Sequence, residues 1–268
     1  MSSTALIDSH CHLVLLQERG LLQRALEGAQ AAGVEAIISV GVNLEDSDRN
    51  REIAEQHSAV YFTVGWDPQQ PRSPGAAELN ALAELLRHPR AVAVGEVGLD
   101  LFFRPGYHET PVEVQRESFR LMLELARDQG KPVVVHDRDA HAEVLGSIAA
   151  VPGSRGVMHC FTGDAEHARR SVQAGFPVSF AGIVTFKNAE TIRDAARAAG
   201  AGDYLVETDA PFLAPAPHRG TVNLPERVAV TAAAVAALRG EDDDAVRAAT
   251  AATARAVFGI GGDAGGGV

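Results

Sequence analysis

The chain has 268 residues, a length that suits one α/β barrel of about 250 residues. Its hydrophobic content of 46% is enough to fill a large core, and no apolar run approaches the roughly 18 residues that a membrane span needs. The net charge of −11, with only two lysines and no run of basic residues, argues against non-specific coating of nucleic acid.

Short apolar runs alternate with longer helical patterns, which is typical of βαβ units and a parallel sheet. We predict eight strands, near residues 5–10, 36–41, 60–65, 91–96, 132–136, 156–159, 177–180 and 204–207. Helices are predicted after the first seven strands, near residues 21–32, 44–56, 76–87, 112–129, 140–149, 165–174 and 189–199. Two more follow the eighth strand, near residues 225–238 and 242–258. This order favours a (β/α)8 TIM barrel over an open doubly wound sheet.

The predicted barrel occupies residues 1–260 as a single domain, and the glycine-rich tail over residues 261–268 is expected to be disordered. The N-terminus lacks the basic and apolar segments of a signal peptide, and two cysteines do not form a disulfide framework. We therefore expect a cytoplasmic protein that does not bind membranes.

The first predicted strand ends in Asp8-Ser9-His10-Cys11-His12. Side chains alternate along a strand, so His10 and His12 are expected to point to the same side, into the barrel. Two imidazoles at the C-terminal mouth are well placed to bind one divalent metal ion. Taken alone, the pattern fits equally well two histidines that are hydrogen-bonded in a polar mouth.

Polar residues at four other strand ends change this balance. Each follows an apolar run, and the ends of several barrel strands converge at one mouth, where barrel enzymes keep their sites. A site with two divalent metal ions needs a bridging carboxylate, and Glu96 is the candidate near the middle of the ring of strands. The predicted metal ligands are His10, His12, Glu96, His136, His159 and Asp209.

Five blocks of sequence resemble one family, the TatD metal-dependent deoxyribonucleases within the amidohydrolase-like barrels. The resemblance runs from the first strand to the last helix, and five blocks in order are highly specific. The blocks are Asp8-Ser9-His10-Cys11-His12-Leu13, Gly95-Glu96-Val97-Gly98-Leu99-Asp100, Pro132-Val133-Val134-Val135-His136-Asp137-Arg138, His159-Cys160-Phe161-Thr162-Gly163 and Glu207-Thr208-Asp209-Ala210-Pro211-Phe212-Leu213-Ala214-Pro215.

The resemblance implies two divalent metal ions, with His10, His12 and Asp209 binding one, His136 and His159 the other, and Glu96 bridging them. Magnesium is expected for the family, whereas the imidazole ligands also suit manganese or zinc. Asp209 and Glu96 are the predicted catalytic residues. Asp209 is the candidate that orients or deprotonates the attacking water, because a carboxylate on the metal can also accept a proton.

Three positions depart from the pattern that this family usually shows. Asp67 stands where the family usually has the histidine of Gly-x-His-Pro, Val14 stands where an aspartate is frequent, and Leu224 replaces the glutamate of Asn-Glu-Pro. None of the three is a predicted metal ligand. They bear on the substrate and not on the metal centre.

Two arginines and the single tryptophan are candidates for substrate contacts. Arg104 and Arg219 can each bind a phosphate as planar donors, or can equally form surface ion pairs. Trp66 can stack on a base or form a buried wall of the pocket.

Four other residues near the predicted ligands have expected structural roles. Cys11 and Cys160 are expected to pack toward the helix layer and not to bind metal. Asp8 is expected to lie on the face of the two histidines and to accept a hydrogen bond from a ligand. Asp100 is expected to fix a loop and not to act as an acid.

The leading functional hypothesis is a metal-dependent phosphodiesterase that acts on DNA, from a strand end because a pocket at the barrel mouth suits a terminus. An amidase, lactonase or deacylase is the second hypothesis, since the same centre can direct water to a carbonyl carbon. A binding scaffold without activity is the third. Arginines that face the metals favour the first hypothesis, whereas an inward-facing Asp67 weakens it.

Overall fold

The computed structural model describes residues 5–103 and 106–261. These residues contain eight strands: β1 Leu6–Cys11, β2 Val34–Ser39, β3 Val60–Val64, β4 Ala91–Asp100, β5 Val133–Arg138, β6 Gly156–Met158, β7 Val178–Phe180 and β8 Tyr204–Val206. They form one parallel sheet in which each strand pairs with the next along the chain.

The sheet closes into a barrel through the segment that follows β8. Cys11 in β1 forms a parallel bridge with Ala210. The His12 amide donates to the Ala210 carbonyl over 2.7 Å, and the Asp209 amide donates to the His10 carbonyl over 2.9 Å. The predicted (β/α)8 fold is confirmed, and the C-terminal ends of all eight strands meet at one mouth.

The described residues also contain ten α-helices, most of which follow a strand and cover the outside of the barrel. Two short 3-10 segments, Gly182–Thr185 and Pro225–Arg227, precede α8 and α9. The helices are α1 Leu13–Glu18, α2 Leu22–Ala31, α3 Leu44–Gln56, α4 Ala76–Leu85, α5 Val112–Asp128, α6 His141–Ala149, α7 Ala165–Gln173, α8 Glu190–Ala198, α9 Val228–Arg239 and α10 Asp243–Phe258.

Two elements differ from the sequence prediction. Helix α1, which begins directly after His12, was not expected. Strand β4 continues to Asp100, four residues beyond the predicted end, because it keeps pairing with β5 from Gly98 opposite His136 to Asp100 opposite Arg138. The glycines of this segment are typical of a loop, and the pairing partner that keeps it extended is not apparent from local sequence.

The hydrophobic core has two parts. The larger cluster lies between the strands and the surrounding helices. The smaller one joins residues from strands on all sides of the barrel, so it fills the interior, and Ala251, Ala254 and Phe258 of α10 pack against it. The interior residues include Ile7, Ile38, Val92, Val134, Val157 and Leu205. The polar strand ends therefore lie above a packed interior.

The predicted domain extent, residues 1–260, stays a prediction. The predicted tail, residues 261–268, lies outside the described residues except for Gly261. Within the two described ranges, no helix combines the length and the apolar character needed to cross a bilayer.

Candidate metal centre

All six predicted ligands lie where their strands end at the barrel mouth. His10, Glu96 and His136 belong to strands β1, β4 and β5, and the other three directly follow a strand or lie a few residues beyond it. Five of the six are buried, and His136 is half-buried. A buried group of histidines and carboxylates requires compensating charge or metal ions, because isolated charges are expensive to bury.

One half of the centre comes from β1 and the loop after β8. The Nε2 atoms of His10 and His12 lie 3.3 Å apart. The Oδ1 atom of Asp209 is 3.6 Å from the first and 3.4 Å from the second. The Oε2 atom of Glu96 is 3.6 Å from His10 Nε2 and 3.8 Å from His12 Nε2. His10, His12 and Glu96 form a group that could hold one ion, and Asp209 lies within 3.6 Å of both histidine nitrogens.

The other half comes from β4, β5 and the residue after β6. Oε1 of Glu96 lies 2.7 Å from His136 Nδ1 and 3.0 Å from His159 Nε2. These two nitrogens are 3.2 Å apart. The two oxygens of Glu96 therefore face two different pairs of imidazoles.

The donor atoms within the two halves are 2.7 to 3.8 Å apart, which is close to the spacing around a bound ion. Ligand atoms at about 2.0–2.2 Å from one cation lie about 3–3.5 Å from each other, depending on the coordination angle. Two groups of three residues that could hold an ion share Glu96: His10 with His12, and His136 with His159. Imidazole and carboxylate donors suit zinc or manganese, and carboxylates also suit magnesium.

Electrostatics couples the histidines to the carboxylates. Burial by itself lowers the pKa of His136, but Asp100 and Glu96 outweigh this effect and raise the pKa to about 9. Burial likewise opposes ionisation of Glu96, yet the surrounding histidines hold its pKa well below the usual range. Without a metal, His12, His136 and His159 would carry protons that compensate the carboxylates, because their pKa values are raised, whereas burial and the charge of His159 lower the pKa of His10. Metal binding is therefore expected to release protons.

The irregular course of β1 explains how its end reaches the centre. Leu6 and Cys11 pack in the same cluster although five positions separate them, and the pairing with β2 shifts register between Asp8 and Cys11. Regular alternation would place these two side chains on opposite faces. His10 and His12 still converge, while Cys11 packs away from them with its Sγ near the Ala210 carbonyl.

Asp8 supports the chain next to Asp209. It accepts from a candidate ligand through the backbone amide of His10, over 3.5 Å, and not through a histidine ring. Its carboxylate accepts from the Thr208 amide over 2.8 Å and from the Thr208 hydroxyl over 2.6 Å. The side chain of Asn223 donates to the Thr208 carbonyl over 2.9 Å. Asp209 itself has φ 54°, a left-handed conformation that needs such support in a residue other than glycine.

Asp100 holds both a loop and a ligand. Its Oδ2 atom accepts from the Tyr107 hydroxyl over 2.9 Å and lies 3.3 Å from His136 Nε2, and its Oδ1 accepts from the Phe102 amide. Asp100 therefore fixes the loop, as predicted, and also orients the ring of His136. A carboxylate on the far nitrogen of a metal-binding histidine fixes its tautomer and its direction.

Glu207 plays the same part for His159 and was not predicted as a site residue. Its Oε1 lies 3.3 Å from His159 Nδ1 and accepts from the Cys160 amide over 2.8 Å. Its Oε2 atom is buried without a hydrogen-bond partner. The available signal was its position directly after β8, two residues before Asp209.

The predicted substrate contacts have varied outcomes. Arg104 lies outside the described residues. The Arg219 guanidinium lies 3.6 Å from the centre of the Phe186 ring and donates to the Ala214 carbonyl, so its role toward a phosphate stays a prediction. Trp66 is buried and donates through Nε1 to the Arg72 carbonyl, which favours the buried wall over a stacking surface.

Asp67 lies within electrostatic reach of the centre. Burial, together with the negative charge of Glu96, raises the pKa of the Asp67 carboxyl to about 7, while His136 and His12 act in the opposite direction. Its Oδ1 accepts from the Gln70 side chain over 2.7 Å. The mouth thus carries an additional acidic group.

A parallel eight-stranded barrel with histidine and carboxylate donors at its C-terminal mouth defines a class, the metal-dependent barrel hydrolases. The model of the TatD related DNase family matches residues 7–259, and the chain belongs to this family. Its membership makes it a metal-dependent hydrolase and excludes the interpretation as an inactive scaffold.

Relatives agree with this assignment over most of the chain. The metal-dependent hydrolase YabD of Bacillus subtilis is 35% identical over 260 residues, which are 95% of this chain and 99% of YabD. TatD of Klebsiella pneumoniae, named a 3′-5′ ssDNA/RNA exonuclease, is 33% identical over 241 residues, 87% of this chain and 89% of that protein. The crystal structure of the TatD homologue YjjV from Escherichia coli matches with a TM-score of 0.89 and 30% identity, covering 97% of this chain and 100% of YjjV.

Proposed function

We propose that this protein hydrolyses phosphodiester bonds at the end of a single DNA strand, using two divalent metal ions that share Glu96. One observation carries the proposal: each oxygen of Glu96 faces a separate pair of histidine nitrogens, at 2.7 and 3.0 Å on one side and at 3.6 and 3.8 Å on the other. A single ion would need one convergent set of donors. This carboxylate lies between two sets.

The residues divide into two ligand sets. His10, His12 and Asp209 would hold one ion, and His136 and His159 would hold the other, with Glu96 common to both. Two cations at such a centre, when bound, polarise a phosphoryl oxygen, acidify a water and stabilise the leaving oxygen. The two outer carboxylates, Asp100 and Glu207, keep the imidazoles in position.

Asp209 is the proposed proton acceptor. Burial opposes its ionisation, but hydrogen bonding to His12 and the charge of His10 bring the pKa of Asp209 below its usual value, so it is ionised at neutral pH. As water adds to phosphorus and the bond to the leaving oxygen breaks, its carboxylate accepts the proton that water releases. Its Oδ1, 3.4 Å from His12 Nε2, lies at the edge of the first ligand set.

Support for DNA as the substrate comes from the relative that is named an exonuclease on single-stranded DNA and RNA. A strand end is proposed because the donors are buried at the barrel mouth, and a site of this kind suits a terminus. The native metal is proposed to be magnesium, manganese or zinc. Cellular availability decides among them, since the four imidazoles bind several transition ions well.

A second function is favoured by one observation, the acidic Asp67 near the centre. An additional negative charge opposes the approach of a phosphodiester anion but not of a neutral lactone, ester or amide. The same centre, acting on a carbonyl carbon, would make the protein a lactonase, deacylase or amidase.

A hydrolysis screen with magnesium, manganese or zinc separates the two functions. It includes single-stranded and duplex oligonucleotides beside simple lactones, esters and amides. We expect shortening of single strands, and loss of at least 1,000-fold of this activity in Glu96→Gln, which keeps the shape of the side chain but removes its charge. Glu113→Gln on the exposed surface of α5 is the matched control.

Two outcomes would contradict the proposal. Oligonucleotide cleavage that persists in Glu96→Gln would show that another centre is responsible. Turnover of lactones or amides without any cleavage of DNA would establish the second function in its place.

A further inference from the structure

The exposed large hydrophobic side chains are concentrated at the barrel mouth. Within residues 5–103 and 106–261, three such side chains are exposed, namely Phe103, Phe212 and Val222. The first lies after β4 and the other two after β8, where loops surround the metal centre. An exposed apolar group costs free energy, so its restriction to one face indicates a surface that contacts a ligand.

Phe212 is the member of this group that lies against the centre. Its ring is 46% exposed and stands edge-on to the ring of His12, with 5.8 Å between the ring centres. It is three residues beyond Asp209 in the chain. A substrate group bound at the His10 and His12 half of the centre would therefore have Phe212 as its neighbour.

The backbone around Phe212 is held in place. Its amide donates to the Asp209 carbonyl over 2.8 Å, and the amide of Asn223 donates to the Pro211 carbonyl over 3.0 Å. The side chain of Asn223 also reaches the Thr208 carbonyl. An aromatic ring on a braced turn can act as a platform with little loss of conformational entropy on binding.

The charge of the protein makes such a platform necessary for a nucleic-acid substrate. At a net charge of −11 and with no run of basic residues, the surface as a whole gains little from neutralising a phosphate backbone. Stacking of a base on an aromatic ring does not depend on charge and works with every base. Binding energy for a strand end must then come from the metal centre and from apolar contacts.

We propose that Phe212 is the subsite for an unpaired nucleobase at the end of the substrate strand, an inference that rests on the proposed function. The ring receives the base of one of the last two nucleotides, while the adjacent phosphate lies at the metal centre. Recognition is by stacking, and the subsite selects single-stranded ends, because a base in a duplex has both faces covered.

The test combines a protein change with the removal of a base. Oligonucleotides with a normal base or an abasic unit at either of the last two positions are cleaved by the wild-type protein, by Phe212→Ala and by Phe212→Tyr. We expect Phe212→Ala to raise KM for the normal strand about 5- to 150-fold, with a smaller change in kcat. Phe212→Tyr restores the KM, since it keeps the ring. Gln129→Ala, an uncharged change at the exposed C-terminal cap of α5, is the control and keeps the wild-type KM.

The decisive result is non-additivity. At one of the two positions, the abasic unit raises KM in the wild-type protein and has little effect in Phe212→Ala, because the same contact is already lost. If the two effects multiply at both positions, or if Phe212→Ala keeps the wild-type KM, the nucleobase subsite is wrong although the enzyme is still a nuclease. If the wild-type protein cleaves no oligonucleotide with any of the metals, the proposed function itself is wrong, and the subsite with it.

Discussion

The carboxylate of Asp67 adds negative charge beside Glu96, at the mouth through which a substrate must enter. Its pKa of about 7 reflects burial and the charge of Glu96. A phosphodiester carries a negative charge, whereas a lactone or an ester does not. Asp67 is therefore expected to repel a phosphodiester but not a neutral lactone or ester. Its replacement tests whether the charge of the substrate lies near the Asp67 carboxylate.

Asp67→Asn should lower KM for an oligonucleotide about fivefold and leave KM for a neutral lactone or ester unchanged. The reason is the loss of a repulsion of about 1 kcal/mol between two charges in a partly screened site. The measurement is steady-state kinetics at pH 8. At this pH the carboxyl is ionised, because its pKa is about 7 and bound cations would lower the pKa further.

Asp128→Asn, on the exposed end of α5, provides the control for a change in total charge. An equal drop in KM for both Asp→Asn variants would assign the effect to net charge. An unchanged KM in Asp67→Asn would show that the negative charge of the substrate binds too far from the Asp67 carboxylate to be repelled by it.

At the scale of single residues, the candidate ligands have a clearer sequence signal than the residues that support them. Each candidate is a histidine or a carboxylate within a few residues of an apolar run, which is a local signal. The role of Glu207 depends on His159, which is 48 positions away, and that of Asp100 on His136, 36 positions away. Only the fold brings the two residues of each pair together. Local sequence therefore shows that a carboxylate is present but not which histidine it contacts.

Among the elements, β3 and β4 determine where Glu96 lies. The Glu96 amide donates to the Gly41 carbonyl over 2.7 Å, and the Trp66 amide donates to the Glu96 carbonyl over 3.1 Å. Between these strands lies Gly65, where a Cβ atom would overlap the carbonyl oxygen of Gly41 and the backbone nitrogen of Glu96. Because Gly65 has no side chain, the backbones of β2, β3 and β4 can approach each other closely here. This approach places Glu96 between the two pairs of histidines.

Gly65→Ala should destabilise the protein by about 3 kcal/mol and reduce metal binding, because the overlap is with backbone atoms that can only shift. Chemical denaturation gives the free energy of unfolding, and metal analysis after dialysis gives the bound equivalents. Gly146→Ala in α6 is the matched control: its Cβ would meet nothing within 4 Å, and alanine should stabilise the helix by about 0.5–1 kcal/mol. Equal stability and metal content in the two variants would contradict this role of Gly65.

The elements that the sequence predicted best are those with a regular pattern and a clear stop. Helix α3 has the predicted bounds, with Asn43 as its N-cap, whose side chain accepts from the Asp46 amide. Helix α1 was missed because its six residues follow the ligand His12 directly, with no capping side chain and no acidic first turn. Its Leu13, Val14 and Leu16 are buried by the neighbouring elements, and this tertiary packing outweighs the weak local signal.

For the whole molecule, the alternation of strands and helices was sufficient to predict the barrel, since parallel strands with helical crossovers have few arrangements. The barrel in turn gathers the strand ends, which explains why six residues scattered along the chain lie close together at one mouth. The charge of −11 is a property of the whole surface and did not identify the substrate. Candidate ligands can be predicted from the fold and from local sequence. The substrate cannot, because its recognition depends on the geometry of individual loops, such as the one that carries Phe212.

We expect two bound ions to share Glu96. Crystals of the wild-type protein, grown with manganese or zinc, test it through anomalous diffraction recorded at the absorption edge of the metal. We expect two peaks about 3.5–4 Å apart, one beside His10, His12 and Asp209 and one beside His136 and His159, with Glu96 between them. A single peak at full occupancy, or a pair of peaks of which Glu96 touches only one, would contradict the account.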